Sequence, residues 1–273
     1  MSANLRSSQR LRLADAIEAR ACADMYAAAP AALGLRVENL GGALTLLAPK
    51  IPVSYFNRVI GLGVQAPATE ADVDALVARF KAAGVADWWI HLNPAARPAE
   101  LGDLLAARGF AQPPRRTWAK FLRGPDARHA PAKDLTVRAA STNDAAQLGE
   151  LICKAYGMPP SLGSWFGALI GRPGWHVLLA ETAGRAVATG SVFVDGATAW
   201  IGIGATLAEF RNRGAQTALL AERINLAAAH GCTVLATETG ESIAGEPNPS
   251  LENIRRAGFE QVCSRLNYAA PKT

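Results

Sequence analysis

The run Arg211-Asn212-Arg213-Gly214-Ala215-Gln216-Thr217 has the residue types of an anion site at the spacing such a site needs. It lies between a strand-like stretch, Thr198 to Thr206, and a segment from about Ala215 to His230. In that segment Leu219, Leu220, Ile224, Leu226 and Ala227 recur at helical spacing. The first turn of a helix leaves its N–H groups without internal acceptors, and the helix dipole makes that end positive. Gly214 lets the backbone approach a phosphate, small Ala215 keeps the same side open, and Arg211 and Arg213 can pair with phosphate oxygens. A pyrophosphate suits this geometry. An isolated Arg-x-x-Gly run is more often a solvated basic helix start, so the flanking elements must carry the argument.

Those elements read clearly from Leu135 onward. A strand at Leu135 to Arg138 precedes a helix capped by Ser141 or Thr142, with Asp144 in its first turn, that runs to about Tyr156. A short helical piece near Leu162 to Ile170 follows. Three strand-like runs, Trp175 to Glu181, Ala186 to Val194 and Thr198 to Thr206, turn at Gly184 and at Asp195-Gly196, which predicts an antiparallel meander. After the Gly214 helix come a buried strand (Cys232 to Thr237), a polar loop, a helix (Pro249 to Ala257) and a last strand from Phe259 to about Tyr268. The expected order is β-α-α-β-β-β-α-β-α-β.

The 273 residues, half of them apolar, suffice for two ordinary cores. A formal charge of +5 is too small at this length for a dense basic stripe, so nucleic acid is not indicated and a phosphorylated small ligand fits equally well. Cys22, Cys153, Cys232 and Cys263 lie far apart with no CxxC pair and no His at ligand spacing. They are expected to be reduced, mostly buried thiols of a cytoplasmic protein, with no metal site. The Arg-bearing, Ala-rich N-terminus has acids throughout and no apolar core, and reads as a surface helix rather than a signal peptide. No membrane partner is expected; a homodimer is left open.

The first half repeats the second in shortened form. Lys81 to Pro94 matches Ala227 to Gly240, Leu104 to Phe110 matches Asn253 to Phe259, and Val59 to Val64 matches Ala199 to Thr206. Between these anchors the second half carries six extra residues, which fall at the arginines and Gly214. Two copies mean a duplicated domain rather than a solenoid. The first copy has Val64 to Asp72 at the corresponding place. There Pro67 lacks a donor, no Arg is present, Glu70 and Asp72 put negative charge at the helix start, and Thr69 with Asp72 forms an ordinary cap. The boundary is placed in the polar, Pro-flanked stretch before Lys133, giving domains at 1–124 and 134–273 with a linker at 125–133.

Arg211-Asn212-Arg213-Gly214-Ala215-Gln216 resembles the [Arg/Gln]-x-x-Gly-x-[Gly/Ala] signature of GCN5-related N-acetyltransferases, and the order of elements is similar to that fold from about Leu135 to Tyr268. The resemblance implies two tandem α/β domains of this kind, each a mixed, mostly antiparallel sheet flanked by helices, of which only the second binds acetyl-CoA. It further implies that the backbone of Arg211 to Thr217 holds the CoA pyrophosphate. The strand end Ile203 to Leu207, with Ile203, Ala205, Thr206 and Leu207, would pair with the pantetheine arm. Gln216 departs from the signature's small residue.

Transfer of an acetyl group to an amine requires the amine to lose its proton, which it holds at neutral pH. Relatives place a Glu on the strand before the turn, where this chain reads Trp200-Ile201-Gly202-Ile203-Gly204-Ala205. Glu238, at the end of the next strand, is the remaining candidate base, against a plain reading as a loop-entry carboxylate in water. The Tyr that serves relatives as general acid is replaced by Ile254. Asn248, Ser250 and Asn253 open the following helix and are expected within reach of CoA, although Asn248 reads equally well as a cap. Trp88 and Trp89 read as core and interface residues, and His91 as a strand-end hydrogen bonder. The leading expectation is an acetyl-CoA-dependent N-acetyltransferase acting on a small amine or amino acid. The alternatives are a non-catalytic acyl-CoA sensor and a protein N-acetyltransferase.

Overall fold

The computed structural model of the chain describes residues 7–51, 53–113, 117–127, 135–243 and 246–272. The first half supplies α1 (Ser7–Ala27), β1 (Arg36–Leu40), β2 (Ala43–Leu47), β3 (Arg58–Ile60), α2 (Glu70–Ala82), β4 (Trp89–Leu92), α3 (Leu101–Ala107) and β5 (Trp118–Arg123). The second half supplies β6 (Thr136–Ala139), α4 (Ala145–Tyr156), α5 (Gly163–Gly167), β7 (Trp175–Thr182), β8 (Arg185–Asp195), β9 (Thr198–Thr206), α6 (Ala215–Ala229), β10 (Val234–Gly240), α7 (Pro249–Arg256) and β11 (Glu260–Ala269). The second half follows the expected order element by element. Ser141 and Asp144 form the predicted cap as a reciprocal capping box. Most of the expected linker, residues 128–133, lies outside the described residues.

Among the described residues the eleven strands join in the order β1-β2-β3-β4-β11-β5-β10-β9-β8-β7-β6. Exchanging each first-half strand with its repeat partner in the second half reproduces this order read backwards, apart from the extra β6. The two halves trade their last strands: β5 pairs with β10, while β11 lies between β5 and β4. A division at 125–133 therefore divides the chain and not the sheet. The period-2 geometry of a strand explains why β5 serves both sides, since Phe121 enters the core beneath α6 and α7 while Leu122 enters the core beneath α1, α4 and α5.

The N-terminal helix is not the surface helix the composition suggests. Ala14, Ile17, Ala21, Cys22, Met25 and Tyr26 of α1 are buried, and so are Asp15 and Glu18. A sequence cannot show this, because small Ala residues spread around the helix give it no strong apolar stripe, and the acids that seem to solvate it are matched by cations from distant strands. The cysteines are free thiols; Cys22, Cys153 and Cys232 are buried and Cys263 is half-buried. None of the helices is long and apolar enough to cross a membrane among the described residues.

Candidate active site

Strands β9 and β10 run parallel from Thr198 and Val234 only as far as Trp200 and Ala236. Beyond that point the ladder ends, and the Thr237 hydroxyl donates to the Ile201 carbonyl at 2.7 Å across the widening gap. On the other edge of β9 the pairing with β8 shifts register between Thr189 and Ser191, and Ile203 takes a left-handed φ of 50°. The bulge interrupts the β8 pairing, which resumes at Ala205 and Thr206, so the end of β9 stays with β8 while it parts from β10. The six residues that the first half lacks fall in the connection that follows, which includes the turn Ala208–Phe210 and the run to Gly214.

Gly214 caps α6 with φ 84°, a conformation that suits glycine, and a Cβ placed there meets no protein atom within 4 Å. No side chain caps this helix, so the N–H groups of Ala215, Gln216 and Thr217 find no acceptor among the described residues. Arg211, Asn212, Arg213 and Gly214 are exposed around them. A groove of about 650 Å³ opens here, lined by Ala205, Thr206, Arg211, Asn212, Gly214, Ala215, Gln216, Thr217 and Asn253, among others. The donor set fits a pyrophosphate: unpaired amides, a helix N-terminus, and guanidinium charge at the rim.

The remaining expected residues are placed differently. Arg213 lies outside the groove lining, with its guanidinium 5.2 Å from the Phe210 ring. Leu207 is a core residue whose N–H bonds the Val187 carbonyl. Asn248 is the cap of α7: its Oδ1 accepts from the Leu251 N–H and its Nδ2 donates to the Gly240 carbonyl, and it does not line the groove. Gln216 does not block the groove, because its side chain donates to the Ser250 hydroxyl at 3.0 Å and accepts from Asn253 at 2.7 Å, which ties α6 to α7. Ile203 lines a second cavity.

That second cavity, about 410 Å³, continues the groove through the splayed strands, and the two share Tyr156, Gly204, Gln216, Arg223 and Ser250. Its far wall comes from the first half of the chain: Met25, Val53, Tyr55, Phe56, Arg58, Trp89 and Trp118. Glu238, Trp200 and Ile254 line it from the second.

Glu238 is not a carboxylate in water. Its side chain is 4% exposed and stands opposite Lys120 in the β10–β5 register, with Lys120 Nζ 2.8 Å and Trp200 Nε1 3.0 Å away. Burial pushes its carboxyl up from the ordinary range, and Lys120 offsets only part of that effect. Lys120 also bonds Glu18 at 2.7 Å, and Glu18 in turn receives Arg265 at 2.5 Å and Arg58 at 3.4 Å. Burial acts to raise Glu18, but Arg265, Lys120 and Arg58 together hold it well below the carboxylate range. Asp15 bonds Arg265 at 2.9 Å. His91 lies mid-sheet rather than at a strand end. Burial, then the charge of Arg265, keeps its imidazole neutral, and Nδ1 accepts from Arg265 at 2.8 Å. Asp15, Glu18 and Glu238 thus balance Arg58, Lys120 and Arg265.

Arg223 is the functional candidate that pattern reading missed. It is 3% exposed, donates from Nε to Leu219 at 3.0 Å and from Nη1 to Gly202 at 3.1 Å, and contacts no carboxylate among the described residues. Burial lowers its pKa to about 10, the nearby Tyr156 opposing. A charged residue in the middle of the apolar face formed by Leu219, Leu220, Ile224 and Ala227 was the available signal. Lys120, between Ala119 and Phe121 in a strand, was another.

The equivalent place in the first half is closed. Thr69 and Asp72 cap α2 reciprocally, and Arg108 bonds Glu70 and Asp74 beside them. Gly63 aligns with Gly204, and its carbonyl accepts the Arg97 N–H at 2.9 Å, while the Arg97 carbonyl accepts from Ala68 at 2.8 Å. The chain's own backbone runs where the second half has a groove.

The fold is that of tandem GCN5-related N-acetyltransferases. A GCN5-related N-acetyltransferase from Kribbella flavida is similar over 93% of this chain and 96% of its own, with TM-score 0.65 and 18% identity. One from Sphaerobacter thermophilus is similar over 86% of this chain and 82% of its own, with TM-score 0.61 and 18% identity. A tandem GNAT protein from the clavulanic acid biosynthesis pathway is similar over 86% and 79%, with TM-score 0.61 and 16% identity. No protein-family model matches the chain, and no curated protein matches its sequence.

Proposed function

We propose that the chain is an acyl-CoA-dependent N-acyltransferase that uses acetyl-CoA and a small amine and binds one CoA, through the second of two domains joined at 125–133. The observation that carries this is the continuity of the groove at the start of α6 with a cavity that ends on a buried carboxylate. Bound in the groove, acetyl-CoA would supply an activated acyl carbon. The backbone N–H groups of Ala215 to Thr217 and the guanidinium of Arg211 hold its pyrophosphate, and the bulged end of β9 offers backbone to the pantetheine amides. Tyr55, Trp89, Trp118 and Trp200 bound the acceptor side and favour a compact amine over a polypeptide.

Glu238 acts as base. Its raised pKa brings it nearer to neutrality, where a base is most effective. The amine nitrogen gives its proton to Glu238, directly or through water, and forms a C–N bond to the thioester carbonyl carbon. The C–S bond breaks, the electron pair leaves on sulfur, and the second proton of the nitrogen passes to solvent, which gives the neutral amide. Ile254 cannot protonate that sulfur, and a thiolate with a pKa of about 8.5 leaves without a donor. Incubation with acetyl-CoA and a panel of amines, followed by detection of free thiol, tests the reading; CoA binding without turnover on any amine would refute it.

A second reading, a non-catalytic acyl-CoA sensor, is favoured by the occupied state of Glu238, whose oxygens already receive Lys120 and Trp200. Stabilisation by CoA with no thiol release would select it.

A further inference from the structure

Arg223 is a cation at the junction of the two cavities with no counter-ion among the described residues. Of the other buried cations, Arg58, Lys120 and Arg265 each face a carboxylate within 4 Å, and Arg123 donates from all three of its nitrogens to the carbonyls of Gly124, Ala257 and Asp126. Arg223 faces only the carbonyls of Leu219 and Gly202 and, among the described residues, no acid. A guanidinium has five N–H groups; these two bonds leave three without a protein acceptor. Gly190 leaves the space that the guanidinium fills. A Cβ on Gly190 would meet Arg223 Cζ at 2.6 Å, and one on Gly204 would lie 3.7 Å from Nη2. The guanidinium therefore lies against β8 and β9 at the bulge and lines both the groove and the acceptor cavity.

An isolated buried charge is expensive, and an arrangement that keeps one with donors turned toward a cavity is completed by an anion from outside. The planar fork suits a carboxylate better than a single oxygen, because it accepts two parallel N–H···O bonds. We infer that Arg223 is the binding residue for a carboxylate carried by one of the two reactants, so that the site takes a dicarboxylic acyl-CoA or a carboxylate-bearing amine such as an amino acid. This deepens the acyltransferase reading and rests on it. Glu238 and Arg223 then give the cavity two opposite charges, the first to receive the amine's proton and the second to orient the carboxylate end.

The test measures dissociation constants by calorimetry on the full chain and on Arg223→Met, which keeps the side-chain length without charge. The donor arm compares succinyl-CoA with acetyl-CoA. The acceptor arm, with CoA present, compares phenylalanine with 2-phenylethylamine and lysine with pentane-1,5-diamine. In one arm the carboxylate-bearing member is expected to bind roughly tenfold to a hundredfold tighter, the range for a charge-assisted pair, and Arg223→Met removes that preference. Which arm responds assigns the carboxylate to donor or acceptor. Arg223→Lys, with its charge but no fork, falls between.

Circular dichroism and melting confirm that the variants are folded, and loss of an unpaired charge is not expected to lower the melting point. Each preference is read as a ratio of affinities within one variant, so a change in CoA affinity common to both ligands cancels. The absence of a carboxylate preference in both arms, or a preference that Arg223→Met leaves intact, overturns the inference and leaves the acyltransferase reading standing. Failure of the unaltered chain to bind CoA overturns both.

Discussion

Lys120→Met probes the junction on which the two halves and the candidate base depend. Lys120 Nζ stands 2.7 Å from Glu18 and 2.8 Å from Glu238, and its side chain has no exposed area. Met preserves most of the volume and removes the charge. Asp15, Glu18 and Glu238 then face only Arg58 and Arg265, which leaves one negative charge uncompensated in the interior. Breaking a buried pair in this way costs about 3–5 kcal/mol. At about 2–4 °C per kcal/mol for a chain of this size, the melting point falls by roughly 6–20 °C.

The deficit must also depend on pH. Burial raises the pKa of Glu238 in the native state, so its contribution to stability is fully present below the ordinary glutamate value and fades as pH rises through the native one. Without Lys120 the native value moves higher, the fading extends further, and the deficit widens from acid toward neutral pH. Glu238→Gln in the same chain removes the uncompensated charge and restores most of the loss. Urea unfolding of the original chain, both single variants and the double variant, near pH 5 and near pH 8, closes a double-mutant cycle. Equal deficits at the two pH values, or a double variant no more stable than Lys120→Met, would refute the reasoning.

Three further outcomes are expected. Glu238→Gln should lower kcat/KM by roughly 10²–10⁴ with CoA affinity unchanged. It should also abolish an acid limb that lies above the ordinary glutamate range, because burial raises that carboxyl; a retained limb in the pH–rate profile places the base elsewhere. Gly214→Ala should lose only about 1–2 kcal/mol of stability, since the new Cβ touches no protein atom and only the left-handed backbone is strained. CoA affinity, measured by calorimetry, should fall at least about tenfold, one power of ten being about 1.4 kcal/mol, and an unchanged affinity argues against the turn as the phosphate site. Titration should give one CoA per chain, and Thr69→Ala combined with Asp72→Ala should not create a second site, because the Arg97 backbone still closes the first-half cleft.

The second half was legible because its signals are local. Helical spacing in α6, the strand-like runs of β7 to β9 with their turn glycines, the Ser141 and Asp144 cap and the Gly214 turn each involve residues a few positions apart, which act through the backbone that joins them. The repeat was legible for the same reason, and with it the loss of the phosphate turn in the first half. The role of Asn248 followed its local alternative, as a cap. Glu238 was found by position along its strand, but its surroundings were not.

Those surroundings are set by strand exchange. Once β5 pairs with β10 and β11 crosses to β4, Lys120 comes opposite Glu238, α1 lies across the junction with Glu18 inward, and first-half aromatics wall the second half's cavity. Each of these pairings spans a hundred residues or more, and no spacing rule reaches that far. Arg223 shows the same division: the sequence marks it as a charge on an apolar helix face, while only the approach of Gly190 and the Gly202 carbonyl from distant strands seats its guanidinium between the two cavities. Local geometry, encoded by neighbours in the chain, determined the turn that would hold a phosphate. The buried charges around the reacting end depend on which distant strands meet, because a buried ion is stable only beside the partners that tertiary packing brings to it.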